Sequence, residues 1–183
     1  KNLLSTSKED YAVYARSPFD VKRRLLLVGN DVSSKYTSRG EEMYRRYARY
    51  LLCMVRAKAG NYMAFFPSYR FMEEVYEAFE ILLAERRIAG EQEEIDYILQ
   101  SQYMSEEARE IFLENFEEER KGSLIGFCVM GGIFSEGIDL SRDRLIGAAI
   151  VGTGLPQVCR ERELLKDYFQ KQGVRAVSYT HLR

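Results

Sequence analysis

Short apolar runs alternate along this chain with longer stretches in which apolar residues recur at helical spacing. The run Leu124–Met130 is apolar and bounded by turn-forming residues, which is typical of a strand covered on both faces in a parallel sheet. Further apolar runs occur near residues 24, 62, 95 and 145, and helical patterns begin near residues 41, 69, 106 and 158. This alternation predicts an α/β fold in which helices flank a parallel sheet of about five strands.

Serines mark three of the predicted helix starts. Ser38, followed by Glu41, forms a capping-box pattern, and Ser105 precedes the helix near residue 106. Ser68 lies between the second strand and its helix. A helix N-terminus at the carboxyl end of a strand also offers free backbone N–H groups to a phosphate. For Ser68, capping alone and anion binding therefore both remain open.

The first helical pattern carries Tyr44, Tyr47 and Tyr50. Such a row has two interpretations, a platform on which bases stack or ordinary core packing. Aromatic residues at this spacing more often pack in a core, so we predict the core position. The charged residues 85–94 after the next helix are predicted to be a linker.

The central strand runs directly into a glycine-rich, acidic turn. Gly131 and Gly132 end the strand, and the carboxylates of Glu136 and Asp139 follow. Glycine permits close backbone approach to a ligand, and the carboxyl ends of parallel strands are where open α/β sheets bind ligands. The alternative is that the glycines only shape the turn. If the chain carries chemistry, we expect it at this turn.

Composition sets limits on the class of protein. With 183 residues, 46% hydrophobic and 30% charged, the chain is long enough for one globular domain with a core. Its formal net charge of −1 provides no overall attraction for a polyanion. Contact with nucleic acid must therefore come from a local basic patch.

The cysteine pattern argues against a metal centre in this chain. Cys53, Cys128 and Cys159 are far apart, and the sequence contains one histidine, so the ligand spacing of a zinc site or an iron–sulfur cluster is missing. We interpret the three cysteines as core thiols of a cytoplasmic protein. The apolar runs are also shorter than a membrane-spanning segment, so no membrane contact is expected.

The ends of the chain differ from its middle. Residues 1–20 are mixed and polar, which suits a lead-in segment from a preceding domain, and residues 21–176 are predicted to form the domain itself. Residues 177–183 follow no earlier pattern and resemble translated linker sequence. We exclude them from the fold prediction.

Several stretches resemble, in order, the XPD/DinG family of superfamily 2 DNA helicases. The stretch Gly131-Gly-Ile-Phe-Ser-Glu-Gly-Ile-Asp-Leu140 is similar to motif V, and Gly60–Tyr69 is similar to motif IV. Residues 24–40 look like the first strand and loop of the second RecA-like lobe, and residues 150–156 look like the segment after motif V. The resemblance extends from about Ser17 to Gly173.

The resemblance implies a second RecA-like motor lobe with ATP and Mg²⁺ held mainly by the first lobe of the same parent chain. Carried over by position, Ser68, Tyr69 and Ser135 would contact single-stranded DNA. Glu136, Gly137 and Asp139 would bind nucleotide or couple it to the DNA. Asp139 is the residue expected to bond a ribose hydroxyl or a residue of the partner lobe.

Other motifs of the family are missing. The sequence has no Gly-x-x-x-x-Gly-Lys-Ser/Thr phosphate loop, no Asp-Glu-Ala-His box and no motif VI with its arginine finger. The resemblance therefore implies a fragment without catalytic residues of its own, inactive alone, whose parent is an ATP-dependent DNA helicase. A free-standing RecA-like nucleotide-binding or protein-interaction domain would show the same alternation, and the neighbouring reading frame separates the two.

Overall fold

The computed structural model describes residues 15, 20–91, 93–134, 138–152 and 160–171. The chain divides into two compact units, residues 1–30 and residues 31–183. In the first unit, residues 21–23 form a short 3-10 turn. The elements below belong to the second unit.

A four-stranded sheet with the order β2-β3-β1-β4 forms the centre of the second unit. Each pair of neighbouring strands is parallel, so all four strands end at one edge, here called the carboxyl edge. Phe66 pairs with Val129 in register, which brings the segments that follow β1 and β3 side by side. The strands are β1 Gly60–Phe66, β2 Ile95–Leu99, β3 Ser123–Val129 and β4 Gly147–Ile150.

The described residues contain four α-helices, α1 Glu41–Ala57, α2 Tyr69–Ile88, α3 Glu106–Glu114 and α4 Arg160–Lys171. One core cluster joins α1 and α2 to strand residues such as Phe66 and Phe127. A second joins α3 to Met63 and Cys128. Because neighbouring residues of a strand point to opposite faces, the two clusters cover the two faces. The predicted α/β fold with a parallel sheet is confirmed.

The strand predicted at residues 24–29 is wrong. These residues form no strand, and the side chains of Leu25, Leu26, Leu27 and Val28 are 74–82% exposed. An apolar run becomes a strand only where a neighbouring strand accepts its backbone hydrogen bonds. Among the described residues, none pairs with this run, so the described sheet has four strands where about five were predicted.

Two helix boundaries also differ from the prediction. Ser38 does not cap α1, because it lies in a 3-10 turn and Gly40 occupies the N-cap without a side-chain bond. Helix α2 continues to Ile88 through part of the predicted linker. Its last residues, 84–88, are mostly strong helix formers, and Glu85 also pairs with Arg45 of α1.

Two residues predicted in the core are on the surface. Tyr47 is buried, as predicted, but Tyr50 is 47% exposed, and its hydroxyl donates to the carboxylate of Asp31. This bond lowers the pKa of Asp31.

Cys53, predicted to be a core thiol, is exposed as well. In contrast, burial raises the pKa of the Cys128 thiol to about 12, so Cys128 is a neutral core residue. Cys159 lies outside the described residues.

No helix in the described part of the chain combines the length and apolar character needed to cross a membrane.

Candidate nucleic-acid interface

The helix that follows β1 begins with a capped turn at the carboxyl edge. The Ser68 side chain accepts a hydrogen bond from the Phe71 N–H at 3.3 Å, and its carbonyl accepts from the Met72 N–H at 3.0 Å. The predicted N-cap is therefore confirmed. Among the described residues, the N–H groups of Tyr69 and Arg70 have no hydrogen-bond acceptor. Two donors and the positive end of the helix dipole thus face this edge.

Tyr69 is held in place by a glutamine that follows β2. Gln100 is 2% exposed, its Nε2 donates to the Tyr69 hydroxyl at 2.8 Å, and its Oε1 accepts from the Val129 N–H at 2.9 Å. The Tyr69 ring packs partly against the first core cluster. Gln100 therefore connects the start of α2 with the end of β3.

The acidic turn is described only in part. Gly131 has a φ of 74°, a conformation that favours glycine. The predicted site residues Ser135, Glu136 and Gly137 lie outside the described residues. Asp139 is exposed, whereas its neighbours Ile138 and Leu140 pack against the second core cluster. No described contact joins the Asp139 side chain to Ser68 or Tyr69.

The loop Ser34–Arg39 lies beside the start of α2. Ser34 packs against Gly152, which follows β4 with a φ of 79°, and a Cβ at position 152 would lie 2.5 Å from the Ser34 Oγ. Arg39 donates from its Nε to the Ser34 carbonyl at 3.3 Å. Its guanidinium lies 5.0 Å from the centre of the Phe71 ring and 5.5 Å from that of Tyr36. The loop is therefore fixed at the carboxyl edge.

Three cations, Lys35, Arg39 and Arg70, belong to the loop Ser34–Arg39 and to the first turn of α2, here together called the basic corner, although the chain has a net charge of −1. Lys35 is exposed, Arg39 is fixed by the contacts above, and the Arg70 side chain is 84% exposed with Glu74 3.9 Å away. An exposed pair at that distance leaves the cation largely available. The described residues contain no group of His, Cys, Asp and Glu side chains that could hold a metal ion.

The sequence analysis did not identify Gln100 or Arg70 as site residues. It singled out the loop Ser34–Arg39 only through the resemblance to a helicase family. The signal for Gln100 was a single amide directly after an apolar strand. For Arg70 it was a cation in the first turn of a helix, where the helix dipole disfavours positive charge.

Comparison with known families decides what kind of domain carries this corner. The sequence model of the helicase C-terminal domain family matches residues 51–182. The chain belongs to this family. A 48-residue stretch of this helicase domain is 44% identical to the ATP-dependent DNA helicase XPD of Sulfolobus acidocaldarius, covering 26% of the chain and 9% of that protein. A probable ATP-dependent helicase of Methanocaldococcus jannaschii is 24% identical over 164 residues, covering 87% of the chain and 23% of the relative.

Solved XPD structures have the same fold as this helicase domain. An apo XPD structure matches with a TM-score of 0.54 and 26% identity, covering 76% of the domain's chain and 26% of its own. A second XPD helicase structure matches with a TM-score of 0.53 and 24% identity, covering 81% and 24%. The chain is thus a C-terminal helicase domain of the XPD family with a RecA-like sheet. It spans 9–26% of the length of these relatives.

Proposed function

We propose that this domain is the second motor lobe of an ATP-dependent DNA helicase and that its carboxyl edge binds single-stranded DNA. The observation that carries the proposal is the start of α2, where two N–H groups without acceptors and the exposed Arg70 lie together. Backbone donors at a helix N-terminus and an arginine side chain are both suited to a phosphate. The names of the relatives, ATP-dependent helicases, support the same assignment.

In this proposal Ser68 shapes the phosphate site, and Tyr69 lies against the bound DNA strand. Ser68 caps the first turn of α2, the turn whose first N–H groups have no partner within the helix. Gln100 fixes the hydroxyl end of Tyr69, so its half-buried ring offers only part of its surface to a base. Ser135 is assigned to DNA by the family resemblance alone.

The acidic turn would connect the DNA to ATP. Asp139 presents an exposed carboxylate after the central strand, which fits an acceptor for a ribose hydroxyl or for a donor of the first lobe. Glu136 and Gly137 keep the coupling role that the resemblance gave them. ATP with Mg²⁺ would supply the phosphoryl transfer that drives movement, held mainly by the first lobe. The present domain, as the second lobe, would contribute carboxylate and backbone groups when the two lobes close.

The test is the binding of fluorescent oligothymidine to the complete helicase, measured by anisotropy over a range of salt. Arg70→Ala is expected to weaken binding and to reduce the slope of log affinity against log salt by about 0.7, the value for one phosphate contact on a single strand. Arg142→Ala is the matched control, because this side chain is 81% exposed and likewise 3.9 Å from a carboxylate, that of Glu118.

An unchanged slope for Arg70→Ala, or an equal loss for Arg142→Ala, would reject the phosphate contact. If the complete protein does not bind single-stranded DNA, the motor-lobe proposal fails, and the free-standing nucleotide-binding or protein-interaction domain becomes the better assignment.

A further inference from the structure

Tyr36 is an aromatic residue held in an exposed position. Tyr36 is 81% exposed and lies in the 3-10 turn Tyr36–Ser38. An exposed tyrosine alone is ordinary on a protein surface. Tyr36 differs because its ring is next to the Arg39 guanidinium, 5.5 Å from the ring centre, a distance at which cation–π attraction holds the pair together.

The turn that carries Tyr36 is anchored from several sides. The Ser38 N–H donates to the Lys35 carbonyl at 3.0 Å, and the Arg39 N–H donates to the Tyr36 carbonyl at 3.3 Å. Arg39 is fixed in turn by the Ser34 carbonyl and by the Phe71 ring. Much of the entropy cost of ordering this turn is therefore incurred in folding, before any ligand binds.

The position of Tyr36 connects it with the proposed DNA site. Phe71, which Arg39 also contacts, belongs to the first turn of α2, the turn that Ser68 caps. Tyr36 therefore lies close to the helix start that carries Arg70, and the exposed Lys35 precedes it. Basic grooves with exposed aromatic rings are what single-strand binding proteins use, because every base has a face on which a ring can stack.

We propose that Tyr36 is a base-stacking platform and that Arg39 is the positioning residue that orients its ring. The proposal rests on the proposed function, since it adds a base contact to the phosphate site at the start of α2. A DNA strand whose phosphate is bound by the α2 amides and Arg70 would place a neighbouring base over the Tyr36 ring. The contact is indifferent to sequence because stacking requires only an aromatic face.

The test compares Tyr36→Ala with Tyr36→Phe in the complete helicase, using fluorescent oligothymidine at fixed salt. Tyr36→Ala is expected to weaken binding roughly 5- to 150-fold, the range for loss of one stacked base, whereas Tyr36→Phe keeps the ring and the affinity. Tyr168→Ala is the control, because Tyr168 is also an exposed tyrosine, 59% exposed, on α4. It is expected to bind like the wild type.

A second measurement locates the base directly. Oligothymidine carrying 5-iodouracil is irradiated on the helicase, and the crosslinked peptide is identified by mass spectrometry. The adduct is expected on the peptide that contains Tyr36, and its yield is expected to fall in Arg39→Leu because the ring loses its support. Wild-type affinity in Tyr36→Ala, equal losses in Tyr36→Ala and Tyr168→Ala, or an adduct only elsewhere would overturn the proposal.

These outcomes are distinct from failure of the proposed function. If the helicase binds DNA with the expected dependence on Arg70 but not on Tyr36, the platform is wrong and the phosphate site remains. If the wild-type helicase does not bind single-stranded DNA, both proposals fail together.

Discussion

Tyr69 has a structural role, through its hydrogen bond with Gln100, and a proposed role in binding DNA, and different substitutions test the two roles. Tyr69 packs against the core, so Tyr69→Ala removes packing as well as a ring that could contact DNA. Loss of DNA binding in that variant would have two explanations. Tyr69→Phe is the sharper change, because it removes only the hydroxyl that accepts from Gln100.

We predict that Tyr69→Phe lowers the free energy of unfolding by about 1–3 kcal/mol, because the Gln100 Nε2 loses a partner where water has little access. Urea unfolding of the chain measures this loss. Gln100→Leu and the double variant complete a cycle in which the two losses should be less than additive, since both remove the same bond. Additive losses would mean that the bond contributes nothing to stability. DNA affinity should be retained in Tyr69→Phe if the ring is the contact.

At this scale the sequence predicted only what is local. Ser68 was recognisable as a cap because the residues it serves follow it directly in the chain. Gln100 lies 31 residues from Tyr69 and 29 from Val129, so its role depends on a sheet order that no local pattern contains. The same holds for Arg39, whose contact with Phe71 joins a loop to a distant helix.

Two helices with the same N-cap provide an internal comparison at the level of elements. Ser68 caps α2 with a bond of 3.3 Å, and Ser105 caps α3 with a bond of 3.2 Å to the Ala108 N–H. Only α2 begins at the proposed DNA site. The pair therefore distinguishes a cap that only stabilises a helix from one that also shapes a binding site.

We predict that Ser68→Ala and Ser105→Ala each reduce stability by about 0.5–2 kcal/mol, the usual cost of losing a cap. Only Ser68→Ala should also weaken the binding of oligothymidine, because the amides of its first turn lose their fixed direction. Melting curves and anisotropy on both variants decide this. Equal DNA affinity in the two variants would return Ser68 to a purely structural role.

The elements themselves were largely predictable, and the failures have a common cause. Strands β1 to β4 were found from their apolar runs because each has a parallel neighbour in the sheet. The run Arg24–Gly29 is similarly apolar, yet no described strand accepts its hydrogen bonds. Likewise, the pattern at Ser38 and Glu41 predicted a cap that the backbone places at Gly40 instead. Pattern identifies candidates, and partners in space decide among them.

For the whole molecule, a small net charge is compatible with a basic corner. The formal charge of −1 is a sum over the entire chain, whereas a bound phosphate responds to charges within about 10 Å at ordinary salt. Lys35, Arg39 and Arg70 are arranged around one helix start by the fold. Composition could state that a local patch was required, but only the fold could locate it.

The central claim is that this lobe couples DNA binding to ATP turnover, and Asp139→Asn tests it in the complete helicase. The variant keeps the size of the side chain and removes its charge. If Asp139 only supports its turn, the amide oxygen still accepts a backbone bond and little changes. If it couples nucleotide to DNA, lobe closure no longer assembles the site that turnover requires. Asp143→Asn is the control, since Asp143 is also exposed.

The decisive measurement is the ATPase rate with and without single-stranded DNA, beside a melting curve. The isolated chain, whose sequence shows neither the phosphate-loop pattern nor motif VI, sets the baseline and should release no phosphate above the blank. In the complete helicase, Asp139→Asn should keep its melting temperature and its DNA affinity but lose most of the DNA-stimulated rate, while Asp143→Asn keeps it. Wild-type stimulation with an unchanged melting temperature in Asp139→Asn would contradict the coupling role.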